Sequence, residues 1–99
     1  MATRSYIGIK TDEGKVYSFY CHWDGHPSRQ LPYLNKVTDV KAFIEKGDRS
    51  SIDEGYYGTP AKEFDLEEWL KNNMVDFKYL FTDKWEIYDT NGRVFEVQQ

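Results

Sequence analysis

Tyr20-Cys21-His22-Trp23-Asp24-Gly25-His26 packs a thiol, two imidazoles, a carboxylate and two large aromatic rings into consecutive positions. That set could hold a metal, activate a nucleophile or read a ligand, and spacing discriminates among the three. A zinc site would draw on Cys21, His22, Asp24 and His26. In an extended chain, however, Cys21 and His22 project from opposite faces, and structural zinc prefers well-separated ligand pairs. The same opposition argues against a Cys21–His22 nucleophile pair, for which the sequence offers no evident orienting Asn or Asp. No catalytic residue, metal site or cofactor is therefore assigned, and the chain is expected not to be an enzyme. Two readings stay open. In one, Cys21 and Trp23 are core residues, His22 lies on the sheet surface and Asp24-Gly25 makes a turn. In the other, Trp23 or Tyr20 stacks on a flat group while His22, Asp24 and His26 supply hydrogen-bonding edges and Arg4, Arg29 or Arg49 the fork for a phosphate or carboxylate.

Two further segments carry candidate binding chemistry. Gly47-Asp48-Arg49-Ser50-Ser51 could turn hydroxyls and backbone donors toward an anion, although it lacks the lysine and spacing of a phosphate loop and also reads as a helix end followed by a turn. Tyr56-Tyr57, between Gly55 and Gly58, has the composition of a protein–protein anchor, unless one tyrosine tucks back over the core. Asp53, Glu54, Glu63, Asp65, Glu67 and Glu68 make a loose acidic patch that could mimic nucleic-acid phosphates, or simply solvate a helix and its N-terminus. No burial signal singles out a carboxylate pair for hydrolysis.

The elements that must position these residues follow from periodicity. Tyr6-Ile7-Gly8-Ile9 and Val16–Trp23 flank a polar turn at Thr11–Gly14 and read as a hairpin. Alternation in its second arm sends Tyr17, Phe19, Cys21 and Trp23 to the core face, and Val16, Ser18, Tyr20 and His22 to the other. Asp24–Ser28 reads as a loop, and Leu31–Val37 is ambiguous because Pro32 would have to occupy a first helical turn. Thr38–Gly47 predicts a short amphipathic helix buried through Val40, Phe43 and Ile44. Asp48–Lys62 reads as the longest loop. A second helix runs from the cap Asp65 to about Asn72, with Phe64 stapled against Trp69. Phe77–Phe81, Trp85–Tyr88 and Arg93–Val97 predict a three-strand meander with an Asn91-Gly92 turn. The fold class expected is α+β over residues 1–99 as a single compact domain: an antiparallel five-stranded sheet in β2-α-α-β3 order, with the helices packed on one face.

Composition narrows the function. The chain has 99 residues, 13 Lys plus Arg and 17 Asp plus Glu, for a formal charge of −4, which disfavours a surface that tracks nucleic-acid phosphates. The mean hydropathy of −0.78 is offset by 17% aromatic residues, which supply buriable area with polar tips. Apolar runs fall far short of the ~20 residues that span a bilayer, and the opening is not a signal peptide, so a soluble intracellular chain is expected. Cys21 is the one cysteine, so no intrachain disulfide can form. An unpaired meander edge makes a homodimer reasonable.

Met1-Ala2-Thr3-Arg4-Ser5, Ile7-Gly8-Ile9 and Tyr20-Cys21-His22-Trp23-Asp24-Gly25, followed by Gly47-Asp48, Ser50-Ser51, Tyr79-Leu80-Phe81 and Trp85-Glu86-Ile87-Tyr88, resemble in order a widespread group of small, poorly characterised bacteriophage proteins. Where that group carries a longer helical stretch after the Trp-Asp-Gly turn, this chain has Pro27, Pro32 and a shorter connection. The resemblance implies a viral accessory protein in the cytoplasm of an infected bacterium. Its expected role is non-enzymatic antagonism of antiviral defence by docking on a host defence protein, through residues among Arg4, Tyr20, His22, Trp23, Asp24, His26, Arg49, Tyr56 and Tyr57. The alternative expectation is a sponge that sequesters a nucleotide immune signal.

Overall fold

A computed structural model describes residues 3–95. They form β1 (Ser5–Lys10), β2 (Lys15–Cys21), α1 (Pro27–Leu34), α2 (Val40–Glu45), β3 (Arg49–Ser51), β4 (Glu54–Tyr56), β5 (Lys62–Asp65), α3 (Leu66–Lys71), β6 (Phe77–Phe81) and β7 (Trp85–Asp89). All the strands join one sheet in the order β4-β3-β2-β1-β6-β7, and β5 pairs with β2 as well. The expected N-terminal hairpin forms, with Ile7 opposite Phe19.

The sheet is not antiparallel and not five-stranded. β1 runs parallel to β6, and β2 parallel to β3. A turn signature dictates only the antiparallel pairing of its own two arms; most of the chain intervenes between β1 and β6, and no local pattern specifies how they meet. The extra strands lie in and around the stretch expected as a loop. β3 and β4 pair across a tight turn with Ser51 opposite Glu54, and β5 pairs antiparallel along the Lys15 end of β2. Elements of three or four residues are too short to display a period. The third meander strand expected over Arg93–Val97 reduces, within the described residues, to one bridge between Tyr88 and Val94 and a bond from Phe95 N to Ile87 O; positions 96 and 97 lie outside the described residues.

Helices cover both faces of the sheet, rather than one. On the first face Ile7, Phe19, Tyr79 and Ile87 pack with Leu34 of α1 and with Val40, Phe43 and Ile44 of α2. On the second, Trp69 of α3 packs with Val16 and Leu80. The Trp69 indole N–H donates to Ser18 Oγ at 3.0 Å, and Ser18 in turn donates to Ile7 O at 2.9 Å. Strands with parallel neighbours are characteristically buried on both faces, and β6 accordingly buries Lys78, Tyr79 and Leu80 in succession. Gly8 makes room in the second layer, since a Cβ there would stand 2.5 Å from Val16 Cγ1.

α1 occupies the region left ambiguous in sequence. It starts at Pro27, where a missing N–H costs nothing, and His26 caps it by accepting from Ser28 N. Each helix also has a late carbonyl satisfied by a side chain from a strand: Leu34 O accepts from the Trp85 indole at 3.1 Å, Phe43 O from Arg49 at 2.8 Å, and Leu70 O from Lys78 Nζ. Such carbonyls have no intrahelical partner, and a cation there also complements the helix dipole. No helix among the described residues is long and apolar enough to cross a membrane.

Candidate functional site

α3 covers only part of the second face, and the other end of that face carries the chemistry. The β1–β2 register sets Tyr6 opposite Tyr20 and ends with Ser5 opposite Cys21. The Tyr6 and Tyr20 rings meet edge to face at 6.1 Å. The Tyr20 hydroxyl lies 2.8 Å from His22 Nδ1, and the His22 ring stands at 87° to Trp23 with centroids 4.8 Å apart. The result is a continuous strip, Tyr6–Tyr20–His22–Trp23, ending on a Trp23 ring that is 47% exposed.

Trp23 is therefore not a core residue. β2 ends at Cys21, and the backbone N–H groups of His22 and Trp23 both turn toward β3, donating to Arg49 O at 3.2 Å and Ser50 O at 2.7 Å. Two successive donors on one side break the alternation on which the inward assignment rested. Cys21 stays in the core, donating to Trp23 O and accepting from Gln30 Nε2, and burial pushes its thiol pKa up, away from the thiolate form a nucleophile needs.

Between β3 and β5 the Tyr20 N–H has no strand partner, and Asp48 Oδ1 accepts it at 2.8 Å. Burial raises the Tyr20 hydroxyl pKa, the Arg4 charge opposes the rise and Tyr57 adds to it. Tyr6 is likewise raised by burial, against a bond from Asn72 Nδ2 to its hydroxyl. Tyr6 and Asn72 were not among the sequence candidates, and Asp48 entered only within the Gly47–Ser51 segment considered for an anion, whereas its carboxylate accepts from Tyr20 N. Tyr6 was legible, since it shares the parity of Arg4 and faces Tyr20 in the hairpin; Asp48 and Asn72 come from distant segments and carry no such signal.

The remaining candidates sit elsewhere. Arg49 is fully buried, donating to the carbonyls of Gly47, Ile52 and Phe43 and lying 3.8 Å from the Phe19 ring centroid, so it offers no fork to a ligand. Tyr56 is opposite Arg49 in the β3–β4 ladder and its ring stacks on that guanidinium at 4.7 Å. Tyr57, 53% exposed, is the one of the two that belongs with the strip. Asp24 is exposed in a turn with φ of 60°. His26 caps α1 and packs against Phe77 on the first face, away from Trp23. Tyr20, His22 and Trp23 are thus brought together, with the Tyr57 backbone held nearby by its N–H to Asp48 O at 3.0 Å; Arg49, Tyr56 and His26 do not join them, and Arg4 is exposed just before β1.

No protein family, curated protein or solved structure matches the chain.

The strip is shallow. The cavity beside it, between Tyr6, Tyr20, Asp48, Lys62 and Phe64, holds about 240 Å³, below the ~300–1,000 Å³ that encloses a small organic ligand. Among the described residues no group of three or more His, Cys, Asp or Glu side chains is placed to hold a metal ion. Exposed Trp and Tyr rings form a composition suited to the hot spot of a macromolecular interface.

Proposed function

We propose that the chain is a non-enzymatic binding protein whose aromatic strip docks on a host protein of bacterial antiviral defence, in the cytoplasm of a phage-infected cell. The observation that supports this reading is the contact of Tyr20, His22 and Trp23 on one sheet face, with Trp23 47% exposed and Tyr57, 53% exposed, tied to the same side by its N–H to Asp48 O. Trp, Tyr and Arg are enriched among the residues that contribute most at protein interfaces. The resemblance of the sequence to small bacteriophage proteins supports the biological setting. The flatness of the strip favours a protein over a nucleotide signal, which would need an enclosing pocket.

The test is phage plating on bacteria that carry individual defence systems, with and without expression of this chain. Rescue of plating on at least one system is expected, together with co-elution of the purified defence protein. Both are lost in Trp23→Ala/Tyr57→Ala, while circular dichroism shows the fold retained. Absence of rescue on every system, or rescue indifferent to that double substitution, overturns the reading. A thermal-shift panel of cyclic and ADP-ribose-type nucleotides tests the sponge alternative, because tight binding raises Tm by mass action.

A further inference from the structure

We infer that Asn91–Gly92, in the turn after β7, is a site of spontaneous deamidation whose rate Asp89 governs by holding that turn closed. The site stands apart from the docking surface proposed above.

Asn91–Gly92 is the one Asn-Gly pair in the chain, and Asn91 is exposed. Glycine has no Cβ to hinder attack of its own main-chain nitrogen on the preceding side-chain amide. In that step a bond forms between Gly92 N and Asn91 Cγ, and the Cγ–Nδ2 bond breaks. The proton lost from Gly92 N is matched by one taken up by the departing nitrogen, which leaves as ammonia. Water then opens the succinimide, leaving aspartate or isoaspartate at position 91.

Packing imposes the glycine that makes this pair labile. Gly92 has φ of 83°, and a Cβ there would stand 2.6 Å from Leu70 O at the end of α3. Lys78 Nζ pins the turn to that helix end, donating to Leu70 O and, at 3.0 Å, to Thr90 O. The turn also ties up the nucleophile. Gly92 N donates to Asp89 O at 3.0 Å, and Asp89 Oδ1 accepts from Asn91 N and Arg93 N, each at 2.9 Å. Asp89 N donates to Arg93 O at 2.8 Å and closes the turn. Attack needs Gly92 N released from its bond and brought onto Asn91 Cγ, so the reaction runs through a locally opened turn. The Asp89 carboxylate keeps that state scarce. Isoaspartate adds a methylene to the main chain between Asp89 and Arg93, which puts the bridge between Tyr88 and Val94 out of register.

The test incubates the intact protein in mildly alkaline buffer, beside the same chain in concentrated urea and the Asp89→Ala and Asn91→Gln variants in buffer. Mass spectrometry of proteolytic peptides reads the gain of one mass unit and the isoaspartate at position 91, and circular dichroism reports the fold. Deamidation is expected to be fastest in urea and slowest in the folded natural chain, and Asn91→Gln should abolish the signal. Folded Asp89→Ala should react about tenfold faster than the natural chain, as fits the loss of one net hydrogen bond from the closed turn. If Asp89→Ala does not fold, the natural chain in buffer against urea decides, protection being expected. Equal rates in buffer and urea, a folded Asp89→Ala that reacts no faster than the natural chain, or no deamidation at position 91 even in urea overturns the inference.

Discussion

Replacing Arg49 with methionine tests the claim that this arginine is structural. Its guanidinium is fully buried and donates to Gly47 O at 3.0 Å, Ile52 O at 2.9 Å and Phe43 O at 2.8 Å. It also lies against Phe19, Phe43 and Tyr56 at 3.8, 4.6 and 4.7 Å from the ring centroids. Hydrogen bonds from a charged donor contribute about 1.5–3 kcal/mol each, and a desolvated cation–ring contact about 2 kcal/mol. Against these stands the cost of burying a guanidinium with no carboxylate beside it, several kcal/mol and the reason its pKa is lowered. Methionine removes that cost and refills part of the slot, but leaves three carbonyls without their donor. The balance is a destabilisation of about 3 kcal/mol, or a Tm lower by roughly 12–24 °C in a domain of this size. Urea denaturation followed by both circular dichroism and tryptophan fluorescence measures it, an unchanged m value confirming that the same unfolding is compared. A loss below about 1 kcal/mol would refute the reasoning, because it would mean that water satisfies those carbonyls as well as Arg49 does.

Three further outcomes follow from the packing and the strip. Gly8→Ala drives a methyl group to 2.5 Å from Val16 Cγ1 and 3.2 Å from Ser18 Cβ, and should cost about 1–3 kcal/mol as overpacking; an unchanged Tm would show that the second layer yields freely. Asp89 has its pKa lowered by the bond from Arg93 N and by that from Asn91 N. Its stabilisation is complete above the ordinary value of 3.8 and is lost as pH falls through the lower folded value. The stability gap between the natural chain and Asp89→Asn should therefore narrow on acidification in urea titrations, and a gap independent of pH contradicts the assignment. Trp23→Ala and Tyr57→Ala, each at a side chain about half exposed, should change stability by no more than about 0.5 kcal/mol while abolishing partner binding; thermal melts beside a pull-down separate the two effects.

The local rules of the sequence carried well wherever an element was long enough to show its period. The N-terminal hairpin, the helix closed near Gly47 with φ of 86° and the grouping of Phe64 with Trp69 all follow from neighbouring residues, although that helix starts at Val40 behind the cap Asp39 rather than at Thr38. Within the site, the shared face of Tyr20 and His22 was legible for the same reason. Trp23 was misplaced because one irregularity at the strand end is enough to reverse a two-residue alternation. Arg49 looked like a free cation because sequence cannot show that three carbonyls from three segments converge on it.

Residue order by itself settled what several short segments are able to become: which stretches alternate, roughly where α2 and α3 lie, and that aromatic surface replaces aliphatic bulk in this chain. Tertiary structure alone decided that β1 and β6 run parallel, that a helix lies on each face of the sheet, and that α3 stops short of the Arg4 end. Those outcomes depend on contacts between residues far apart in the chain, and it is the stretch of sheet left uncovered by α3 that turns separate side chains into one surface.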